Sequence, residues 1–357
     1  MRIRWLPLAR LLAPADRATF TAVTATAVAA LAAVSLTACG GSASGLDTDA
    51  LVIYSGRQEV LVKPLLEQFT KDTGIEVSVR YGNTAQLAAQ LIEEGERTPA
   101  DVFFSQDGGA LGALTAAGRL EKLPDQLLAA VPARYRADDG TWAGTSGRAR
   151  VIVYDPRQVP AEHVPNSVFE LTDPRWRGKV GIAPSNASFE SFVTAMRVLK
   201  GDDVARKWLA DMKANDVQLF DNNILVLNAT KEGSLQLGLI NHYYWYEQVA
   251  EEGRDKMTAR LKFLPGGDPG ALVNVAGVGV LRGNDHAEQA RRFAEYLLQP
   301  AAQRYFAEHT KEYPLIVGVD PVEDLPPLSS LQTPDIDLSD LDTLEQTLEM
   351  IQDAGLT

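Results

Sequence analysis

The chain has 357 residues, of which 45% are hydrophobic and 23% are charged, with a net charge of −13 and a single cysteine. This length and composition are typical of a globular protein with one large or two medium domains. The acidic charge disfavours nucleic acid and anionic lipid as partners, and one cysteine excludes an intrachain disulfide.

The amino terminus is typical of an exported protein. Arginines precede an alanine-rich apolar stretch, and Leu36-Thr37-Ala38-Cys39 resembles a bacterial lipobox, in which the leader is cut before a lipidated cysteine. We therefore expect residues 1–38 to be a signal peptide, Cys39 to anchor the protein on the extracytoplasmic face of the cell membrane, and residues 39–49 to be a flexible tether. The alternative is an uncleaved membrane helix. Removal of a leader that carries +3 leaves a net charge of −16.

The next hundred residues alternate between strand and helix patterns. Strands are predicted at 51–55, 75–79 and 100–104, and helices at 60–73 and 84–94. Gly74 and Gly95 are expected to end the two helices. In the second helix Leu87, Leu91 and Ile92 are predicted to face inward.

The rest of the chain repeats this alternation. Strands are predicted at 150–154, 180–183 and 237–241, and helices at 188–200, 202–215, 224–232 and 245–252. A final amphipathic helix is predicted at 339–355, with Ser339 as its N-cap and Leu341, Leu344, Leu348 and Ile351 facing inward. Alternating strands and helices indicate an α/β protein whose parallel strands are joined by helices.

Polar residues follow three of these strands. They are Tyr54-Ser55-Gly56, Phe104-Ser105-Gln106 and Asn241 to Tyr244. In an open α/β sheet ligands bind at the carboxyl ends of the strands, so we expect these segments to line a cleft.

Adjacent phenols at Tyr243 and Tyr244 are the most distinctive feature of this cleft. A tyrosine hydroxyl has a pKa of about 10, so it ionises at neutral pH only beside a strong positive charge such as Fe³⁺. Two neighbouring phenolates can hold one hard trivalent cation. The alternative is an aromatic strand end whose hydroxyls are hydrogen-bonded.

Six segments in order resemble the periplasmic ferric-iron-binding proteins of ABC importers, a transferrin-like branch of the bacterial solute-binding proteins. These segments are Tyr54-Ser55-Gly56-Arg57, Thr98 to Ser105, Ser146 to Val151, Asn241 to Tyr246, Asp268 to Val273 and Glu312-Tyr313-Pro314-Leu315. The resemblance implies a two-lobed α/β periplasmic-binding-protein fold with a ligand cleft between the lobes. It places the first lobe mainly at 50–150, the second mainly at 151–273, and a return to the first lobe with C-terminal helices at 274–357.

The resemblance also implies that Tyr243 and Tyr244 supply phenolates to Fe³⁺. The chain departs from the family pattern in the first lobe, where Gln58 and Gln106 replace a histidine and a glutamate ligand, and neutral amides are weak partners for a hard ion. Glu59 is the candidate third metal ligand, and Asp107 and Tyr81 are further candidates. The alternative for Glu59 is a solvated carboxylate at a helix start.

Family members often bind carbonate or phosphate beside the metal. The matching anion pocket comprises Ser185, Asn186, Ala187 and Ser188 at a helix start, where free backbone N–H groups favour anions. Arg148 matches a family arginine that could pair with the anion. Asn223 and Asn241 are the expected supporting amides. The alternative is that Ser185 or Asn186 only caps the helix and Arg148 forms an interlobe salt bridge.

No enzymatic role is expected. The four histidines lie in no HExxH or GxSxG context, and no P-loop or Rossmann glycine pattern occurs. The expected function is capture of Fe³⁺ and its delivery to an ABC transporter permease by a monomeric, lipid-anchored protein. The alternative is a solute-binding protein for an inorganic or organic anion, or for a ferric chelate.

Overall fold

The computed structural model describes residues 45–322 and 324–357. The predicted signal peptide at 1–38, the predicted lipidation site Cys39 and the first part of the predicted tether lie outside the described residues. Within the described ranges no helix combines the length and the apolar character that a membrane span requires.

The described chain forms strands and helices in alternation. The strands are β1 (Leu51–Ser55), β2 (Val77–Tyr81), β3 (Val102–Ser105), β4 (Trp142–Tyr154), β5 (Val180–Ile182), β6 (Gln218–Leu219), β7 (Leu237–Asn241), β8 (Arg260–Lys262), β9 (Val273–Val280) and β10 (Tyr313–Pro314). The helices are α1 (Glu59–Thr73), α2 (Thr84–Glu94), α3 (Gly108–Ala116), α4 (Asp125–Ala129), α5 (Ala187–Lys200), α6 (Asp202–Ala214), α7 (Asn223–Glu232), α8 (His242–Glu252), α9 (Ala287–Leu297), α10 (Pro300–His309) and α11 (Leu344–Asp353).

Strand β4 connects two sheet halves. Its first part, from Trp142 to Ala149, pairs antiparallel with β9, and its second part, from Arg150 to Tyr154, pairs antiparallel with β7. Parallel strands β2, β1 and β3 extend one half, and parallel strands β7, β5 and β6 extend the other. The boundaries that the sequence predicts for the two lobes stay predictions.

Each half has an aromatic centre in its core. Phe69 packs edge to face on Phe293 at 5.1 Å, beside strands β1 and β3. In the other half Phe192 and Trp208 meet edge to face at 5.4 Å, and the Trp208 indole donates to the Val168 carbonyl at 2.9 Å. Large aromatic side chains bury much apolar area with few rotatable bonds, which favours these two packing centres.

Most element positions agree with the sequence patterns. Strands β1 and β7 and helix α2 have the predicted bounds, and Gly74 ends α1 with φ 71°. Helix α8 begins at His242 rather than at residue 245, so the two tyrosines lie in its first turn. Asn241 ends β7 in an extended conformation and the helix begins at the next residue, so both tyrosines are helical.

The prediction of one helix at 339–355 is wrong. A 3-10 helix at Leu338–Asp342 precedes α11, and Ser339 lies inside the 3-10 helix rather than at the N-cap of α11. The 3-10 helix packs against the glycine-rich α3, where a Cβ added to Gly112 would lie 2.2 Å from the Ser339 carbonyl oxygen. This close contact between the two backbones favours the 3-10 conformation at Leu338–Asp342, and a helical pattern in the sequence cannot predict it.

Two predicted inward-facing residues are on the surface. Leu348 and Ile92 are each 42% exposed. In α11 the buried face is formed instead by Thr347, Met350 and Ile351, because Thr347 accepts a hydrogen bond from Arg197 at 2.8 Å. A buried threonine with a polar partner is invisible to a pattern that counts only apolar residues.

Candidate functional site

A cleft of about 230 Å³ opens at the strand ends. The loops after β1, β2 and β3 form one wall of it, which we call the first-lobe wall. The start of α5 and the start of α8 form the opposite wall, which we call the tyrosine wall. Strand β4 contributes Arg148 and Arg150 between the two walls. The cleft thus lies where the sequence predicts a ligand site.

Tyr243 and Tyr244 both line this cleft. Their ring centroids are 4.1 Å apart with an interplanar angle of 32°. Tyr243 is 5% exposed, and burial, followed by the neighbouring Tyr244, raises its pKa well above the ordinary value. The Tyr243 hydroxyl therefore stays protonated at neutral pH unless a strong positive charge arrives beside it.

His242 fixes the start of α8 and does not line the cleft. Its Nδ1 accepts a hydrogen bond from the Ala149 backbone N–H at 3.1 Å, and its Nε2 lies 3.0 Å from the Lys311 carbonyl oxygen. An amide donor on one side and a carbonyl acceptor on the other require a neutral ring protonated at Nε2. Burial lowers the pKa of His242 to about 4, so the ring stays neutral and ties α8 to β4.

Arg150 is a buried cation without a carboxylate partner in the described part of the chain. Its guanidinium is 3% exposed and donates to Ser188 Oγ at 3.0 Å and to the Leu239 carbonyl at 3.3 Å. The group also packs over the rings of Phe189 and Phe192, at 5.7 and 5.4 Å from their centroids. Burial lowers the pKa of Arg150 to about 9, so it remains charged at neutral pH.

Arg148 lies two residues earlier on the same strand and on the same face. It donates to the Gln106 carbonyl oxygen, and its Nε lies 3.7 Å from Glu312 Oε1. Burial lowers its pKa, against the attraction of Glu312. The cleft therefore carries two guanidiniums from one strand.

Asp107 is the one carboxylate among the described residues that line the cleft. It caps α3, since its Oδ1 accepts from the Ala110 backbone N–H at 3.0 Å. Burial raises the pKa of Asp107. With two guanidiniums against one carboxylate, the cleft is suited to a ligand that carries negative charge.

The structure brings most of the predicted site residues together. Those that line the cleft are Tyr243, Tyr244, Asp107, Arg148, Asn186, Ala187, Ser188 and Asn241, and Gln58 and Gln106 lie on the first-lobe wall. Asn223 lies behind this lining, fully buried, and donates to Ser188 Oγ at 3.1 Å. Ser185 is exposed and lies outside the lining.

The structure places Glu59 and Tyr81 away from the tyrosine pair. Both line a separate cavity between α1 and β2. Glu59 accepts from Lys63 at 3.0 Å one helical turn away, and its side chain is 52% exposed. This position agrees with the solvated helix-start carboxylate of the alternative interpretation, and metal ligation by Glu59 stays a prediction.

Sequence reasoning did not assign a role to Arg150 or to Asn274. Arg150 could have been found, because residues two apart on a strand share a face and Arg148 was already a candidate. Asn274 lies opposite Arg148 in the β4–β9 register and accepts from the Gly108 backbone N–H at 3.2 Å. No strand was predicted at β9, so its position could not have been inferred.

Two α/β lobes that share a long strand and enclose a polar cleft define a solute-binding protein of the periplasmic type. The chain belongs to the family of bacterial extracellular solute-binding proteins, whose model matches residues 97–340. Relatives in this family bind and transport solutes, so the chain is a solute-binding protein and not an enzyme.

Individual relatives are similar along most of the chain. The "Fe(3+)-binding periplasmic protein" of Serratia marcescens is 34% identical over 320 residues, covering 89% of this chain and 94% of the relative. Iron-bound HitA from Pseudomonas aeruginosa superposes with a TM-score of 0.80 at 34% identity, covering 86% of this chain and 99% of HitA. FutA from Trichodesmium, in complex with iron and citrate, gives a TM-score of 0.75 at 28% identity over 86% and 100% of the two chains. These likenesses confirm the two-lobed fold predicted from the sequence.

Proposed function

We propose that this protein captures Fe³⁺ in its cleft through the phenolates of Tyr243 and Tyr244. The observation that carries the proposal is the placement of two adjacent phenols in a cleft that Arg148 and Arg150 also line. No group of three or more His, Cys, Asp or Glu side chains among the described residues could hold a metal. A hard trivalent cation in this cleft would therefore depend on the phenols.

The charges in the cleft support an oxyanion as part of the cargo. Fe³⁺ held by two phenolates retains one positive charge, and Arg148 and Arg150 add two more, while Asp107 supplies one negative charge. An uncompensated cluster of buried cations is costly. Carbonate, phosphate or a carboxylate would offset this charge. It would also occupy coordination positions on the metal that no residue of the first lobe fills.

The start of α5 is the proposed seat of this anion. Ser188 Oγ accepts from Arg150 and Asn223 and donates to Asn186 Oδ1 at 2.7 Å, which fixes the first turn. The Ala187 backbone N–H at the helix start and the Arg148 guanidinium then face the cleft, and a helix N-terminus favours an anion. Asn241 supports the same wall from the end of β7.

A ferric chelate is the second candidate for the cargo. Arg150 has no carboxylate partner in the described ranges, and a chelating carboxylate would supply one. The Trichodesmium relative, which holds iron and citrate, supports this form. In either form the cargo is ferric iron together with negatively charged oxygen donors.

We further propose the cellular context that the sequence suggests. The leader at residues 1–38 would export the protein, and its removal before Cys39 would leave a monomer anchored by lipid on the outer face of the cell membrane. Loading would bring the two lobes together by a hinge motion, because the cargo contacts both walls. The loaded protein would then dock on the permease of an ABC importer.

A visible titration of the purified protein with ferric citrate, with and without carbonate, tests the proposal. We expect a phenolate-to-iron absorption band that saturates at one Fe³⁺ per protein and responds to the anion. A colourless titration would instead favour a solute-binding protein for an inorganic or organic anion, which needs no phenolate.

A further inference from the structure

Arg57 and Glu312 form a buried ion pair directly behind the first-lobe wall of the cleft. Arg57 donates from Nη1 and Nη2 to the two carboxylate oxygens at 2.9 and 2.7 Å, and neither side chain is more than 1% exposed. Ser146 and Thr310 donate to the same carboxylate at 2.8 and 3.0 Å. The pair joins the loop after β1, strand β4 and the segment before β10, and neither member lines the cleft.

Arg57 also sets the orientation of the Gln106 amide. Its Nη1 lies 3.0 Å from Gln106 Oε1. A guanidinium has donors and no acceptor, so the amide oxygen must face Arg57 and the amide nitrogen must face away from it. Gln106 lines the cleft, and its Nε2 donates to no acceptor in the described part of the chain. Arg57 thus presents Gln106 to the cleft as a hydrogen-bond donor.

Glu312 links this amide to Arg148. The carboxylate neutralises Arg57 and lies 3.7 Å from Arg148 Nε, while Arg148 donates to the backbone carbonyl oxygen of Gln106. Two donors of the cleft lining, the Gln106 amide and the Arg148 guanidinium, are therefore held by one buried ion pair. Both donors require an acceptor on the ligand, which a metal ion cannot provide and a negatively charged oxygen can.

We propose that Arg57 and Glu312 are positioning residues that make Gln106 a recognition element for an oxyanion bound together with the metal. The inference rests on the proposed function and assigns different residues to the metal and to the anion. The tyrosines bind the ferric ion, and the anion at the start of α5 also accepts a hydrogen bond from Gln106 on the first-lobe wall. The anion class is a carboxylate-type oxyanion, supplied as carbonate or as the carboxylate of a chelate.

The test compares a glutamine of the cleft with one outside it. Gln86 is exposed on α2 and does not line the cleft, so Gln86→Met is the matched control for Gln106→Met. Protein is loaded with Fe²⁺ that air oxidises in carbonate-free buffer, and carbonate or citrate is added in separate arms. The shift of the iron band gives the half-saturating anion concentration.

Loss of one hydrogen bond to a charged acceptor should raise this concentration about tenfold for Gln106→Met, with Gln86→Met within about twofold of the wild type. An effect in the citrate arm alone identifies a chelate as the anion, and an effect in the carbonate arm alone identifies carbonate. Equal half-saturation in Gln106→Met and the wild type overturns the inference.

A second comparison separates positioning from support of the fold. Arg57→Met combined with Glu312→Met removes both buried charges, which proteins often tolerate. On this background Gln106→Met should have no further effect, because the amide is no longer oriented. An undiminished tenfold effect would mean that the ion pair does not position Gln106. Failure of the proposed function looks different, since the wild type would then show no iron band with any anion.

Discussion

Replacing Arg150 with methionine should stabilise the metal-free protein while weakening anion binding. Arg150 is 3% exposed, and no carboxylate in the described ranges pairs with its guanidinium. Methionine is shorter than arginine, but its thioether can contact the rings of Phe189 and Phe192. The substitution therefore removes a buried charge together with its cation–π contacts and leaves apolar contacts in their place.

The size of the effect follows from the burial of the charge. Burial lowers the pKa of Arg150 from its ordinary value to about 9, and each pKa unit corresponds to about 1.4 kcal/mol, so the charged form carries a penalty of roughly 4 kcal/mol. The hydrogen bonds to Ser188 and to the Leu239 carbonyl, at 3.0 and 3.3 Å, offset about half of this penalty. We expect Arg150→Met to raise the free energy of unfolding by roughly 1–2 kcal/mol.

Urea unfolding of the metal-free protein, followed by tryptophan fluorescence, measures this change. Arg57→Met is the contrasting control, because it leaves Glu312 buried without its main counter-charge and should cost roughly 3–5 kcal/mol. The half-saturating citrate concentration of iron-loaded Arg150→Met should rise about tenfold. If Arg150→Met loses stability by more than about 1 kcal/mol, the guanidinium is compensated in the free protein and the reasoning is refuted.

Three further predictions concern packing, capping and pH. Gly112→Ala should lower the free energy of unfolding by about 1–3 kcal/mol in a thermal melt, because the new Cβ would lie 2.2 Å from the Ser339 carbonyl oxygen; an unchanged melt would show that α3 can shift. Asn83→Ala should cost about 1 kcal/mol, since Oδ1 of Asn83 accepts two backbone N–H groups at the start of α2; urea unfolding checks this loss. Iron affinity, measured by competition with a chelator, should fall as pH falls, because the raised pKa of Tyr243 keeps its phenol protonated and binding must release that proton; a pH-independent affinity between pH 5 and 8 contradicts phenolate ligation.

The sequence predicted the elements that local pattern determines. Strand β7 and helix α2 have apolar periodicity and end signals within a few residues, and both were located at the correct bounds. Strand β9 was missed because glycines at 277 and 279 interrupt its pattern. A Cβ added at Gly277 would lie 2.7 Å from Leu111, and one added at Gly279 would lie 2.9 Å from Leu120. The glycines therefore allow close packing that no local sequence pattern indicates.

The candidate site also has residues that the sequence predicts and residues that only the structure reveals. Tyr243 and Tyr244 were found because their chemistry and their position after a strand are both visible in the sequence. Glu59 was a candidate because it follows the first strand, but α1 begins at this residue and its carboxylate turns to Lys63. The orientation of Gln106 depends on Glu312, which is 206 residues away in the chain, and only the three-dimensional arrangement reveals it.

The most direct test of the central claim is iron binding by the Tyr243→Phe, Tyr244→Phe double variant. Tyr246→Phe is the matched control, because Tyr246 lies on the same helix, donates to the Asp324 carbonyl at 3.0 Å and does not line the cleft. We predict a phenolate-to-iron band in the wild type and in Tyr246→Phe, and neither a band nor tight iron binding in the double variant. Iron affinity that survives loss of both phenols would contradict the account.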